Sequence, residues 1–304
     1  MDASTIYRAV NRKYSSIASS AHSDDQVQDS KNAHVATSFG YSAEDLASLP
    51  SGTNLGLSCG NPLATANIQP FDTMLDLGSG GGLDCLIAAK QMLKADASPK
   101  GKIYGVDRNE NMIALARKNA AQANLPEGLV EFIEAPISDI ALPDAVVDLI
   151  VSNCVINLVP DQDKPKVFRE IYRLLKPGGR VAVSDLLAKK TLPEHVRRDA
   201  ALLVGCVAGA SLVEEYRRWM LEAGFGGESI VFVNTGRDLN VYHDESGTAS
   251  CCATKEGEEK KCCGGGNINS AEGEAAAGID NKKIDFNEWV ASYQIYAVKG
   301  DAGQ

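Results

Sequence analysis

No stretch of this 304-residue chain is apolar for long enough to cross a bilayer. The longest uncharged run, Ala200 to Val213, falls short of the roughly 20 residues a spanning helix needs, and Gly205 and Gly209 break it. The N-terminus is not expected to act as a secretory signal, since Asp2, Arg8, Arg12 and Lys13 stand where an apolar segment would have to be. No Lys/Arg cluster stands out. With 30 basic against 40 acidic residues the net charge is -10, and such a field repels phosphate backbones. Neither nucleic acid nor membrane is therefore an expected partner, and the expected compartment is cytoplasmic. There is no internal repeat, and nothing in the sequence sets an oligomeric state beyond a default monomer.

What is present suits a globular protein. At 44% hydrophobic and 23% charged, the chain can bury one large core, or a core and a small appendage. Residues 4–18 carry apolar side chains at helical spacing, and the polar stretch Ser19 to Ser38 is expected to be mobile. Ser42 is placed to cap a short helix, with Asp45 three residues on. From Phe71 onward, apolar strands (Met74–Leu77, Lys102–Val106, Val130–Ile133, Val147–Ser152, Arg180–Asp185) alternate with helices (Leu83–Met92, Asn109-capped to Ala123, Lys164–Leu175). Lys176-Pro177-Gly178-Gly179 reads as a stop between the last helix and strand. This alternation predicts an α/β fold with a doubly wound, mostly parallel sheet. Helices are expected over Pro193–Val204 and Ser211–Ala223, the second opened by a capping box of Ser211 and Glu214. Strands follow at Ser229–Asn234 and Ser292–Val298. Residues 243–283 are rich in Gly, Ala, Glu and Lys and poor in large apolar residues, the composition of a flexible loop.

The sharpest local signal is Asp76-Leu77-Gly78-Ser79-Gly80-Gly81-Gly82, a glycine turn between an apolar strand and a helix. A bare glycine cluster can simply relieve a tight turn. Here an acid precedes the first glycine by two positions, and the spacing is Gly-x-Gly-x-Gly, not the Gly-x-Gly-x-x-Gly of a pyrophosphate cradle. Asp107 also closes the next strand, where it can accept two ribose hydroxyls. This pattern resembles that of class I S-adenosylmethionine-dependent methyltransferases, whose Rossmann-like core would span residues 71–190. The resemblance implies S-adenosylmethionine as methyl donor, held by Asp76, Gly78, Ser79, Gly80 and Asp107. It further implies Ile137 and Ser138 beside the adenine and Asn153 at the fourth strand end; for Ile137, core packing is an equal reading.

Eight cysteines remain to be explained. A single free cysteine is most often a small buried hydrophobe, and Cys85 is read that way. Three others sit in distinctive surroundings: Gly56-Leu57-Ser58-Cys59-Gly60-Asn61-Pro62, Ser152-Asn153-Cys154-Val155-Ile156-Asn157-Leu158 and Gly205-Cys206-Val207-Ala208-Gly209-Ala210. With Tyr14-Ser15-Ser16, these segments resemble the arsenite methyltransferase family, over roughly residues 5–240 and again in the last strand. The family implies that Cys59, Cys154 and Cys206 hold As(III), with arsenite and then methylarsenite as substrates, in arsenic detoxification. Residues 1–70 would form an N-terminal helical lid carrying Cys59, and residues 191–242 the helical arsenic-binding part carrying Cys206. Trivalent arsenic is soft and prefers sulfur, and its lone pair can itself attack a sulfonium methyl. No general base is needed, which agrees with the absence of a His/Asp pair near the motifs; His195 is read as a helix-surface residue.

The chain departs from the family where many relatives carry another cysteine, since residues 1–58 contain none. That puts an internal disulfide relay in doubt and places weight on an external thiol reductant such as glutathione or thioredoxin. The adjacent pairs Cys251-Cys252 and Cys262-Cys263, in the loop 243–285 before a final strand and tail (286–304), are candidates for auxiliary arsenic capture or disulfide resolution. Two other functions stay open at this point. One is a C-methyltransferase acting on a quinone- or sterol-like molecule. The other is a thiol-based metalloid-sequestering protein, which would leave Asp76 and Asp107 without a purpose.

Overall fold

The computed structural model describes residues 2–21, 26–197, 202, 206–242 and 285–301. Among these, no helix is long and apolar enough to cross a membrane. The strands are β1 (Thr73–Leu77), β2 (Lys102–Asp107), β3 (Val130–Glu134), β4 (Val147–Asn153), β5 (Leu175–Ala188), β6 (Val231–Asn234) and β7 (Val290–Val298). They form one sheet in the order β3-β2-β1-β4-β5-β7-β6. β1 to β5 pair in parallel, and β7 runs antiparallel between β5 and β6. This is the doubly wound, mostly parallel sheet expected from the alternation. Strand order reverses between β1 and β4, so a crevice opens beyond the carboxyl ends of those two strands.

Helices cover both faces. α1 (Ala3–Ser20), α2 (Gln26–Ser38), α3 (Ala43–Ala47) and α4 (Leu63–Ala66) precede the sheet. α5 (Leu83–Ala95), α6 (Glu110–Gln122) and α7 (Lys164–Leu174) connect its strands. α8 (Glu194–Arg197), α9 (Val213–Ala223) and α10 (Phe286–Trp289) follow. The parallel strands are near-continuous apolar runs because both faces are covered. On one face, Val167, Phe168 and Ile171 of α7 pack with Tyr216, Trp219 and Met220 of α9. On the other, Ile87 and Met92 of α5 pack with Ile113 and Ala116 of α6.

Caps follow the residues expected of them: the Ser42 side chain accepts from Asp45 N, and Asn109 Oδ1 accepts from Met112 N at 3.0 Å. Three expectations are corrected. The stretch Ser19 to Ser38, expected to be mobile, contains α2. Its exposed Val27 hides any amphipathic signal, and its order comes from its carboxyl end, where Ala36 and the following Phe39 are buried. The capping box of α9 is shifted by one residue: Leu212 N donates to the Glu215 carboxylate, while Ser211 Oγ accepts from Lys164 Nζ at 2.8 Å. The Pro-Gly-Gly segment does not delay the strand, for β5 begins at Leu175. Pairing with β4 resumes at Arg180 after an irregularity, with Gly178 in the left-handed region. Apart from Leu202, the rest of the helix expected to Val204 lies outside the described residues, as do the His195 side chain and Cys251, Cys252, Cys262 and Cys263.

Candidate functional site

A cleft of about 160 Å³ lies at the strand-order reversal. All eight residues expected around the cofactor line it: Asp76, Gly78, Ser79, Gly80, Asp107, Ile137, Ser138 and Asn153. Gly78, Gly80 and Gly82 all have positive φ. At Gly80 (φ +51°) an added Cβ would meet nothing within 4 Å, so backbone there faces open space. At Gly78 a Cβ would overlap Val155, which follows Cys154, so this glycine lets the two strand ends approach. Ser79 Oγ is buried and, among the described residues, has no hydrogen-bond partner, a polar atom left for a ligand.

The acids of the cleft are unequal. Asp107 accepts from Gly80 N at 3.1 Å and from Asn109 N at 2.8 Å; burial raises its pKa, and these bonds oppose the rise. Asp76 is buried, and burial followed by the neighbouring Asp84 pushes its carboxyl up. Cys85, read as a core residue, is fully buried, with its thiol donating to Asp76 Oδ2 at 3.4 Å. Asp84, on the first turn of α5, also lines the cleft; burial lifts it to about 6, against the Tyr41 hydroxyl that donates to it at 2.6 Å. α1 contributes Tyr7, Val10, Asn11 and Tyr14 to the same cleft. It is fixed there by Asn109 Nδ2, which donates to Asn11 Oδ1 and to Ser15 Oγ.

The three singled-out cysteines, far apart in sequence, lie in one buried cluster with Leu158, Leu186 and Val290. Cys154 follows the last residue of β4 and lines the cleft. Its N–H extends the ladder to Ser184 O at 2.8 Å. Cys59 is fully buried; its N–H donates to Asn153 Oδ1 at 3.1 Å, and its thiol lies 3.6 Å from Ser184 O. Asn153, expected against the cofactor, has its amide committed elsewhere: Nδ2 donates to Tyr41 Oη at 2.8 Å and to Gly60 O at 2.9 Å. It thereby ties the Cys59 loop to β4. Cys206 Sγ donates to Cys154 O at 2.9 Å. Both Cys154 (φ +61°) and Cys206 (φ +64°) occupy the left-handed region, which few non-glycine residues adopt.

Burial keeps these thiols protonated at neutral pH. It lifts Cys59 to about 12 and Cys154 well above the usual thiol range, while Cys206 is raised by its contact with Cys154 and then by burial.

Around the cluster stands a polar network that the motifs did not reveal. Asp185, fully buried on β5, accepts from Asn157 Nδ2 and its neighbour Leu186 N, each at 2.9 Å, and from the Tyr216 hydroxyl at 2.8 Å. Burial lifts it to about 6. Lys164, also fully buried, donates to Gly209 O at 2.6 Å and so fastens the loop that follows Cys206. The hint in the sequence was an acid beside Ser184 in the otherwise apolar run Val181 to Leu187.

A family profile described as a methyltransferase domain matches residues 68–224. The chain is 42% identical over 214 residues to an arsenite methyltransferase of Halobacterium salinarum, covering 67% of this chain and 52% of that protein. It is 31% identical over 172 residues to the human arsenite methyltransferase, covering 53% of this chain and 43% of that one. The chain thus spans about half the length of the curated relatives it matches. Among solved structures, it is similar to an arsenic(III) S-adenosylmethionine methyltransferase from Chlamydomonas reinhardtii, with TM-score 0.56 and 26% identity, covering 90% of this chain and 75% of that one.

Proposed function

The chain belongs to the methyltransferase-domain family, and on that premise we propose that it transfers the methyl group of S-adenosylmethionine to trivalent arsenic held by Cys59, Cys154 and Cys206. The observation that carries this reading is the meeting of three thiols, from three distant segments, in one buried cluster that opens through Cys154 onto the glycine-lined cleft. The similarity to arsenite methyltransferases supports the same acceptor.

The cleft fits the donor. Gly80 leaves backbone open, Ser79 Oγ lacks a partner among the described residues, and Asp107 closes β2 where a ribose would lie. S-adenosylmethionine, when bound, supplies an electrophilic methyl group on a sulfonium. Asp107 would accept from the ribose hydroxyls, while Asp84, at about 6, is charged at neutral pH and gives the cleft the negative character that a cationic ligand prefers.

The protonated thiols suit arsenous acid. Each S–H proton leaves with one arsenic hydroxyl as water, so a neutral trithiolate forms and no charge is buried. Cys206 must release the Cys154 carbonyl to take part. The chain then has to hold the arsenic lone pair in line with the methyl group, a matter of alignment and not of proton transfer. The lone pair becomes the new arsenic–carbon bond as the methyl group's bond to the sulfonium sulfur breaks, its electron pair staying on sulfur to leave a neutral thioether, and arsenic is raised to the pentavalent state. Two electrons from a thiol reductant of the glutathione or thioredoxin class return it, with a disulfide as the oxidised product.

The test is arsenic speciation after incubating reduced protein with S-adenosylmethionine, glutathione and arsenite, beside Cys154→Ser and Cys206→Ser variants. Methylated arsenic is expected from the parent and should be lost in both variants. Turnover that survives both substitutions would remove the thiol cluster from the mechanism and turn attention to a carbon acceptor.

A further inference from the structure

The thiol cluster contains a carboxylate that arsenic does not need. One oxygen of Asp185 and the sulfurs of Cys59 and Cys154 all lie within 4.8 Å of one another, and all three residues are buried. A neutral arsenic trithiolate has no use for an anion beside it, yet the charged form of Asp185 is favoured by the buried Lys164 ammonium, so a carboxylate is kept next to the two sulfurs. Asp185 Oδ1 accepts from Asn157 Nδ2 and Leu186 N and Oδ2 from the Tyr216 hydroxyl, so its carboxylate is held in place beside the two sulfurs.

We propose that Cys59, Cys154 and Asp185 form a second, cation-binding set that takes a thiophilic divalent ion such as zinc or cadmium, using two of the sulfurs assigned to arsenic. The inference stands on the geometry of the cluster and not on the identity of the methyl acceptor. A tetrahedral zinc with bonds of about 2.3 Å to sulfur and about 2.0–2.2 Å to carboxylate oxygen places its ligand atoms roughly 3.5–3.8 Å apart. The set, whose ligand atoms lie within 4.8 Å of one another, must therefore contract by at most about 1.3 Å, which side-chain rotation supplies. Three protein ligands leave the fourth position to water, the arrangement of an open zinc site. As the ion enters, the two thiols lose their protons to solvent, and two thiolates and one carboxylate surround a 2+ charge. No oxidation occurs.

The two ligand sets differ in one member each. Arsenic uses Cys206, which must leave its bond to the Cys154 carbonyl, and does not use Asp185. The divalent ion uses Asp185 and leaves Cys206 where it is. Both ions need Cys59 and Cys154, so occupancy by one excludes the other, and a divalent ion holds the acceptor thiols out of reaction.

The test uses the full chain with Cys251, Cys252, Cys262 and Cys263 replaced by Ser, so that thiols outside the cluster do not report. Reduced, metal-free protein is titrated with cadmium chloride, and the thiolate-to-cadmium absorption band and the retained metal are both measured. One cadmium per chain is expected, displaced by arsenite, with a cadmium NMR shift of mixed sulfur and oxygen ligation. Asp185→Asn should weaken cadmium by about tenfold or more and leave arsenite affinity nearly unchanged. Cys206→Ser should do the reverse. Cadmium retained by a protein that methylates no arsenic would support the cation site while removing the arsenic assignment. The proposal is overturned if no cadmium is retained, if the NMR shift is that of all-sulfur ligation, or if a folded Asp185→Asn protein holds cadmium as tightly as the parent. The NMR result decides the matter even where the Asp185 variant does not fold.

Discussion

Gly209→Ala should separate alignment from sulfur chemistry at the thiol cluster, because it touches neither a thiol nor the cofactor cleft. A Cβ at Gly209 would overlap the carbonyl oxygen of Asn157, and the next nearest atoms, Asn157 C at 3.0 Å and Cα at 3.6 Å, are backbone too. No side chain can rotate away, so the loop after Cys206 must retreat by about 1 Å, and displacements of that size near a reacting centre cost on the order of 100-fold in rate. The same retreat stretches the bond from Lys164 Nζ to Gly209 O and loosens the Cys206 thiol from the Cys154 carbonyl. Overpacking of this kind lowers stability by about 1–3 kcal/mol. Arsenic speciation under single-turnover conditions, with thermal melting on the same samples, reads both effects. The expected result is a folded protein whose methylation rate falls by about two orders of magnitude, with S-adenosylmethionine binding intact. Parental turnover in Gly209→Ala would refute the idea that the position of Cys206 limits the reaction.

Three further outcomes follow from the same structure. Gly80→Ala, at φ +51° and with nothing within 4 Å of the new Cβ, should cost about 1–2 kcal/mol of backbone strain and fill part of the cleft; calorimetry should show weaker S-adenosylmethionine binding with arsenite binding retained. Because burial holds Cys59 at about 12, its thiol is protonated at neutral pH, and exchange with arsenous acid releases water and not protons. Arsenite affinity should therefore be flat from about pH 6 to 8, and a steady rise with pH would show that thiolates are the binding form. Stability should behave differently: the thiol's ordinary value of 9.0 is raised on folding, so the folded form loses stability as pH climbs from 9 toward 12, by up to about 1.4 kcal/mol per pH unit for this group, seen as a falling melting temperature. Replacing Cys251, Cys252, Cys262 and Cys263 together by Ser should slow arsenite uptake or multiple turnover, and unchanged kinetics would remove them from the reaction.

Most of the sheet could be read from the sequence because its strands are uniform apolar runs bounded by glycine, acid or asparagine, signals that depend on neighbours along the chain. The cleft was legible for the same reason: Asp76, the glycine turn and Asp107 are all strand-end residues, and strand ends converge in this fold. α2 was missed because its order rests on tertiary contacts of Ala36 and Phe39, not on its own periodicity. The polar network was missed for a related reason. Asn157, Lys164, Asp185 and Tyr216 are ordinary residues of four separate elements, and only packing brings them together. Asn153 was placed at the correct strand end, but its partners Tyr41 and Gly60 belong to loops whose path the sequence does not specify.

The backbone at the cysteines bears on the question that composition left open, whether they merely fill space. A cysteine that packs as a small hydrophobe needs no unusual conformation, and Cys85 sits within helix α5. Cys154 and Cys206 instead adopt positive φ, where a side chain costs about 1–2 kcal/mol relative to the right-handed region and glycine would fit without strain. Cys154 lies where β4 ends, and its turn interrupts the path of the strand beside the cleft. Cys206 opens a loop held by Lys164 and crowded against Asn157, so its conformation is imposed by neighbours that are themselves buried and bonded. Strain of this kind persists only where the surroundings over-determine it, and it concentrates where side chains must point at a ligand. Two strained cysteines, one of them lining the cleft, in one buried cluster with a third thiol are difficult to account for as filler. They are what a soft three-coordinate acceptor would require.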